Sequence, residues 1–250
     1  MTKGAISLQQ QSEFYDVFWR KQRRLMDRVQ CFYYSDEKSR ERLLQHLLRI
    51  HGQRFPCGGR GFDLGCGRGR VASWLATRGW RMSGLDLSPA TIATNTQRYP
   101  DIEFVSGDLL AYPHYQFGIY DLVVSLEVME HLVPEQRSNY AQVISRLLKT
   151  DGVAIISTPN AFTVRRLGLP SDQPLDFWME PDEFRSYFEE EFVVLDYCTA
   201  ALCWRNRAAN FLWKLTPLVN AWADKYIRHT GKGKYQMLML QKRRSSAGER

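Results

Sequence analysis

Asp63-Leu64-Gly65-Cys66-Gly67-Arg68-Gly69 is the stretch on which the reading of this chain turns. Glycines at alternate positions let the backbone turn sharply and bring N–H groups close to a ligand at a helix N-terminus. The loop follows Gly61-Phe62-Asp63-Leu64, a strand candidate, and precedes Val71, Trp74 and Leu75, which start a helix that stops at Gly79. In an open α/β sheet, ligands sit outside the carboxyl ends of the strands at the topological switch point, so the exit at Gly65 is the place to look. A nicotinamide-type GxGxxG loop would need its third glycine at position 70, which is Arg70. The spacing is GxGxG, with an acid two residues before the first glycine.

Outward from this loop, short apolar runs alternate with helical stretches. Residues 81–87, 102–107, 120–126, 153–160, 191–197 and 235–242 read as further strands, and residues 88–99 as a helix with Ser88 as N-cap. A helix is predicted over 134–150, with Tyr140, Val143, Ile144, Leu147 and Leu148 on one face and Gly152 just past its end. Residues 9–50 read as helical, with Leu43, Leu44, Leu47 and Leu48 as a core stripe, and residues 181–188 as a short helix. This alternation predicts an α/β fold with a seven-stranded, mostly parallel sheet and an antiparallel edge made by the last two strands. The expected organisation is a helical cap over 1–55, a core over 56–200, an aromatic and basic helical lid insertion over 201–233, and the last strand with a basic tail over 234–250.

The chain has 250 residues, 44% hydrophobic and 24% charged. That suits one large domain with an elaboration and excludes a disordered chain. No apolar run approaches the ~20 residues of a spanning helix, and residues 1–16 lack the apolar core of a secretory signal. Cys31, Cys57, Cys66, Cys198 and Cys203 are scattered without a CxxC pair, which argues against a disulfide framework or a cysteine zinc site. The expectation is a soluble, cytoplasmic protein. Its net charge of +7 is uneven: residues 201–250 hold 11 Lys and Arg against 2 Asp and Glu, whereas residues 1–200 hold 23 against 25. Any anionic partner is therefore a matter for the C-terminal fifth.

Asp86 ends the second strand, where a carboxylate can accept both hydroxyls of a ribose, and Asp108 follows the third, within reach of an adenine edge. With the glycine loop, the GLDLS around Asp86, the GDL around Asp108 and YDLVVSLEVMEHL over 120–132, residues 61–160 resemble the class I S-adenosylmethionine-dependent methyltransferases. The resemblance implies their Rossmann-like sheet and S-adenosyl-L-methionine as cofactor. It implies that Asp63 orders the loop and that Gly65, Cys66, Gly67 and Gly69 serve the methionine portion. Asp86 would hold the ribose, Leu87 the adenine, Asp108 the adenine amino group with Leu109 beside it, and the backbone around Leu126 would close the pocket. Arg40 or Arg42 is the candidate for the cofactor carboxylate.

Glu127-Val128-Met129-Glu130-His131 leaves the fourth strand at the edge of this site. His131 is the candidate base, with Glu130 beside it, because a neutral imidazole can take a hydroxyl proton near pH 7; the alternative is that His131 only packs against the loop. His46, His51, His114 and His229 read as surface or packing residues. EVMEHL paired with STPN resembles two groups. One is the ubiquinone-biosynthesis O-methyltransferases, with similar small-molecule and lipid-linked sugar enzymes. The other is the small-RNA 3′-terminal 2′-O-methyltransferases, whose ExxEH binds a divalent metal with a further downstream histidine. Glu127, Glu130 and His131 match that triplet, but no histidine occurs between 132 and 228, and the corresponding stretch offers Leu175 and Asp176. A divalent metal is therefore not expected there.

The segment from Cys203 to Lys234 interleaves Trp204, Trp213, Trp222 and Tyr226 with Arg205, Arg207, Lys214, Lys225 and Arg228. It suits a lid over the pocket, contact of residues 203–230 with an anionic membrane surface, or, less favoured, single-stranded nucleic acid. Pro217 is expected to kink or divide its helix. The expected function is O-methylation of a small-molecule hydroxyl, phenol or quinone-like or on a lipid-linked sugar. The alternatives are RNA 2′-O-methylation with a metal, and a non-catalytic cofactor-binding assembly partner at a membrane.

Overall fold

The computed structural model describes residues 7–29, 36–169, 176–203 and 216–244. At its centre lies a seven-stranded sheet of β1 (Arg60–Leu64), β2 (Arg81–Asp86), β3 (Glu103–Ser106), β4 (Tyr120–Leu126), β5 (Leu148–Pro159), β6 (Phe192–Ala200) and β7 (Tyr235–Lys242). Their order is β3-β2-β1-β4-β5-β7-β6, and β1 to β5 pair in parallel throughout. The Rossmann-like, mostly parallel α/β sheet expected from the sequence is thus what forms.

The last two strands form the antiparallel edge expected of them: β7 pairs antiparallel with the edge strand β6 and, on its other side, with β5, so it lies inside the sheet. Its run Tyr235-Gln236-Met237-Leu238-Met239-Leu240 is buried at every position, as a strand covered on both faces requires. Leu238 and Leu240 enter one core and Met237 and Met239 the other.

The helices are α1 (Leu8–Val29), α2 (Asp36–Ile50), α3 (Arg70–Ala76), α4 (Pro89–Arg98), α5 (Pro134–Leu147), α6 (Ala161–Leu167), α7 (Pro181–Ser186) and α8 (Pro217–Ile227). Leu43, Leu44 and Leu47 of α2 share one core with α3 and α4, while α5 and α7 supply the other. The helix predicted over 134–150 stops at Leu147. Leu148 is extended and pairs with Tyr120, and Gly152 lies within β5 rather than at a helix end. Pro217 occupies the first turn of α8, where a missing N–H costs nothing; residues 204–215, on the other side of it in the expected helix, lie outside the described residues. Cys31, Leu175, Trp204, Arg205, Arg207, Trp213 and Lys214 lie outside the described residues. Among the described residues, no helix is long and apolar enough to cross a membrane.

Arg137 of α5 ties the loop before α7 to the end of β4. Its fully buried guanidinium donates to the Phe177 carbonyl at 2.7 Å and to Glu183 at 3.0 Å, while Phe177 N–H donates to the Glu130 carbonyl at 2.8 Å. Replacing Arg137 by Leu strands a buried carbonyl and opens space. A loss of about 2–4 kcal/mol is expected, measured from urea unfolding midpoints; an unchanged midpoint would remove Arg137 from this clamp.

Candidate active site

The carboxyl ends of β1, β2 and β4 open into a cavity of about 630 Å³. The glycine loop forms its floor. Gly65 has φ +80°, and a Cβ there would stand 2.3 Å from Val128 Cγ2, so only glycine fits. Asp63 lies beneath the loop, fully buried, accepting the Ala72 N–H at 3.1 Å. Burial pushes its carboxyl up to about 7. Asp86 accepts the Gly67 N–H at 2.8 Å on one oxygen and the Ser88 N–H at 3.0 Å on the other. Burial raises its pKa, and these two donors oppose the rise. Asp108 accepts the Leu110 N–H at 2.9 Å and holds the turn after β3.

Of the residues singled out from the sequence for the cofactor, Asp63, Gly65, Cys66, Gly67, Asp86, Leu87, Asp108, Leu109 and Leu126 all face the cavity. Gly69 does not. It is the left-handed N-cap of α3, packed against Phe104 behind the loop. Of the two candidate arginines, Arg40 lines the cavity, 3.6 Å from Glu127 and over the Tyr235 ring at 4.4 Å; exposed Arg42 does not line it.

The other end of the cavity holds Glu127, Glu130, His131 and Asp176. Glu127 is in the left-handed region at φ +58° and accepts from Ser157 Oγ at 2.7 Å. Glu130 is buried and accepts from Thr158 Oγ1 at 3.2 Å. Burial first, and then the charges of Glu127 and Asp176, push its pKa well above the usual carboxylate range. His131 has Asp176 Oδ1 3.7 Å from Nδ1 and Glu130 Oε1 3.9 Å from Nε2. Among the described residues, the ligating atoms of Glu127, Glu130 and His131 do not all lie within 4.8 Å of one another.

The roof was not legible in the sequence. Helix α1 lies across the cavity, with Ser12 Oγ donating to the Leu87 carbonyl at 3.0 Å and Asp16 bonded to Ser88 Oγ. The Tyr15 ring faces His131 at 5.7 Å between centroids. Burial and the charges of Glu130, Asp86 and Asp176 keep its phenol protonated. No motif marks Tyr15, because its role comes from where α1 docks. The described part of the 201–233 insertion does not line the cavity.

Residues 62–152 match the family described as Methyltransferase domain. They are a methyltransferase domain. The chain is 35% identical over 108 residues to a probable S-adenosylmethionine-dependent methyltransferase of Mycolicibacterium smegmatis, covering 43% of this chain and 41% of that one. It is 34% identical over 126 residues to a ubiquinone biosynthesis O-methyltransferase of Sodalis glossinidius, covering 47% of each. The match thus spans less than half the length of either relative. Among solved structures, a TehB-like SAM-dependent methyltransferase of Corynebacterium glutamicum superposes with a TM-score of 0.60 at 21% identity, over 92% of this chain and 99% of that one. The [4+2]-cyclase SpnF superposes at 0.65 and 17% identity, over 96% and 98%. These likenesses establish the class I methyltransferase fold around the domain.

The raised Glu130 pKa has a consequence for stability. A carboxyl whose folded pKa lies above its unfolded one holds more protons when folded, so stability falls as pH rises above the unfolded value. Asp63 acts in the same direction between about 4 and 7. Glu130→Gln mimics the protonated form. It is expected to raise the melting temperature at pH 8 by about 2–4 °C, the shift that ~1 kcal/mol makes at this size, and to leave that at pH 4 unchanged. Thermal melts across pH 4–8 measure it; parallel curves for the two proteins would contradict the assignment.

Proposed function

We propose that the chain is an S-adenosylmethionine-dependent methyltransferase acting on the hydroxyl of a small molecule, with His131 as base. The observation that carries this reading is one continuous cavity, with Asp86 and the glycine loop at one end and His131 beside Asp176 at the other. The residues fit the cofactor. Each Asp86 oxygen keeps a lone pair toward the cavity for a ribose hydroxyl, and Asp108 stands beside Leu87 and Leu109 for the adenine. Gly65, Cys66 and Gly67 leave room for the methionine portion over Asp63, with Gly69 supporting them from behind, Leu126 at the wall and Arg40 for the carboxylate.

S-adenosylmethionine, when bound, supplies an electrophilic methyl on a sulfonium, whose sulfur keeps the bonding pair as the methyl leaves. The chain's own part is to align the acceptor, exclude water and remove one proton. His131 takes the hydroxyl proton, and Asp176 stabilises the imidazolium that results. Glu130, held toward its protonated form, adds little negative charge beside the acceptor. Tyr15 and α1 cover the cavity. The similarity to a ubiquinone biosynthesis O-methyltransferase supports an oxygen acceptor.

His131→Ala is expected to lower kcat by about 10²–10⁴-fold and to leave the Kd for S-adenosylhomocysteine unchanged. Asp86→Ala is expected to weaken that Kd. Transfer of labelled methyl into RNA, protein, organic-soluble and water-soluble fractions of a cell extract reads the acceptor class. Label in the organic fraction supports this reading; label in RNA, or full turnover by His131→Ala, overturns it.

The acceptor in this reading is borne by an anionic membrane surface, with the enzyme cytoplasmic and peripheral. Helix α8 leaves Leu218 84%, Trp222 62% and Tyr226 71% exposed beside Lys225, within the 201–250 stretch that carries the excess of basic residues. Rings at headgroup depth with flanking cations suit such a surface. The protein is expected to sediment with vesicles containing phosphatidylserine and not with phosphatidylcholine alone, and Leu218→Ser with Trp222→Ser should abolish this. Equal partition onto both vesicles, or none onto either, would refute it.

A further inference from the structure

On the far side of the sheet edge from the cavity, three chain segments bring a second cluster of metal-ligating groups together. Asp196 and Cys198 are two apart on β6, so both project from one face of the strand, the face against which α2 packs. His51 comes from the turn after α2, and His229 follows α8. Cys198 Sγ lies 3.5 Å from Asp196 Oδ1 and 3.8 Å from His229 Nδ1, and His51 Nε2 lies 3.2 Å from Asp196 Oδ2. The ligating atoms of Asp196, Cys198 and His229 all fall within 4.8 Å of one another.

We propose that Asp196, Cys198 and His229 hold a structural zinc ion that fastens the end of α8 to strand β6, with His51, paired with the other Asp196 oxygen, turning in from the end of α2 as the fourth ligand. A tetrahedral zinc with Zn–S of ~2.3 Å and Zn–N or Zn–O of ~2.0 Å holds its ligand atoms about 3.3–3.6 Å apart, close to the separations above. One thiolate and one carboxylate balance the charge of the ion, and a sulfur, nitrogen and oxygen donor set in tetrahedral array suits zinc rather than magnesium or calcium.

The scaffold is fixed independently of the ion. Thr199, between the two β6 ligands and the end of the strand, takes the Arg228 carbonyl at 2.6 Å with its N–H and the Ile227 carbonyl at 2.8 Å with its hydroxyl. Asp224 accepts the Ala201 N–H at 2.9 Å. His229 is therefore delivered to Cys198 by backbone pairing. Burial, and then the charge and hydrogen bond of Asp196, push the Cys198 thiol up to about 12 without the ion, so binding displaces its proton; Arg228, whose guanidinium sits 3.3 Å from His46 Nε2, opposes that rise. His46 adds no second charge, since burial and Arg228 press its pKa down to about 4.

The test uses untagged full-length protein and two readouts. Elemental analysis after growth in zinc-supplemented medium is expected to find about one zinc per chain. Cobalt(II) titration of the stripped protein is expected to show thiolate-to-cobalt charge transfer in the near ultraviolet, saturating at one equivalent. Cys198→Ser should abolish that band. His229→Gln, at an exposed position where folding is not at stake, should weaken zinc about tenfold or more, since even outer-shell losses cost 10–100-fold. Glu127→Gln with Glu130→Gln should leave both readouts intact, which separates this site from the cavity. No charge-transfer band in folded wild-type protein, zinc content unaffected by His229→Gln, or metal lost with the glutamate pair would each overturn the proposal.

Discussion

A carboxylate buried at the end of β2 accepts the Gly67 N–H on one oxygen and the Ser88 N–H on the other, and the geometry of the cavity follows from that pair of bonds. Asp86 thereby sets the glycine loop and the first turn of α4 with one side chain. The coupling is returned from the helix side, where Asn95 Nδ2 donates to the Gly67 carbonyl at 2.7 Å. Ser88 passes it on to the roof through its bond with Asp16 of α1. A carboxylate in this position costs desolvation, and two backbone donors offset part of it. The same carboxylate lines the cavity.

The acidic end of the cavity is governed by a different balance. Glu127, Glu130 and Asp176 cannot all be charged at low cost in a partly buried site. Glu130, the most buried of the three, gives way and is held toward its protonated form. Glu127 keeps Arg40 and Ser157 as partners, and its left-handed backbone is maintained by the Glu127 N–H to Ser157 carbonyl bond at 3.1 Å. A non-glycine residue in that region stores about 1–3 kcal/mol. Here the strain turns the chain out of β4 so that Glu130 and His131 follow on the cavity wall. What results beside His131 is Glu130, its pKa raised by burial, on the Nε2 side and Asp176 on the Nδ1 side.

Much of this was legible in the sequence, for local reasons. The glycine loop, Asp86, Asp108 and the strand exits are contiguous motifs, and their chemistry follows from spacing within a few residues. The end of α5 was misread because Leu147-Leu148 continues the helical apolar stripe, and only pairing with Tyr120 commits Leu148 to the sheet. The antiparallel edge was legible in the last two strands, but order in sequence does not reveal that β7 inserts between β5 and β6. The His51, Asp196, Cys198 and His229 cluster was invisible for the same reason: its members are joined by docking of α2 and α8 on β6, and no spacing rule connects them. Tyr15 and Asp176 belong with these, since each reaches the cavity from a segment with no motif of its own.

The division between legible and illegible parts coincides with a division of labour in the cavity. The matched domain, residues 62–152, contributes the loop, Asp86, Asp108 and the His131 segment. Tyr15, Phe18, Arg40, Asp176, Trp178 and Tyr235, which complete the wall around the other end, all come from outside it. Sequence similarity to the two curated relatives accordingly covers less than half of this chain, 43% and 47%. A [4+2]-cyclase and methyltransferases share this fold, so the fold alone does not choose the reaction. The choice rests on groups that the fold leaves free to vary. In this chain they are a histidine flanked by Asp176 and by Glu130, whose pKa burial raises, under the Tyr15 ring of α1.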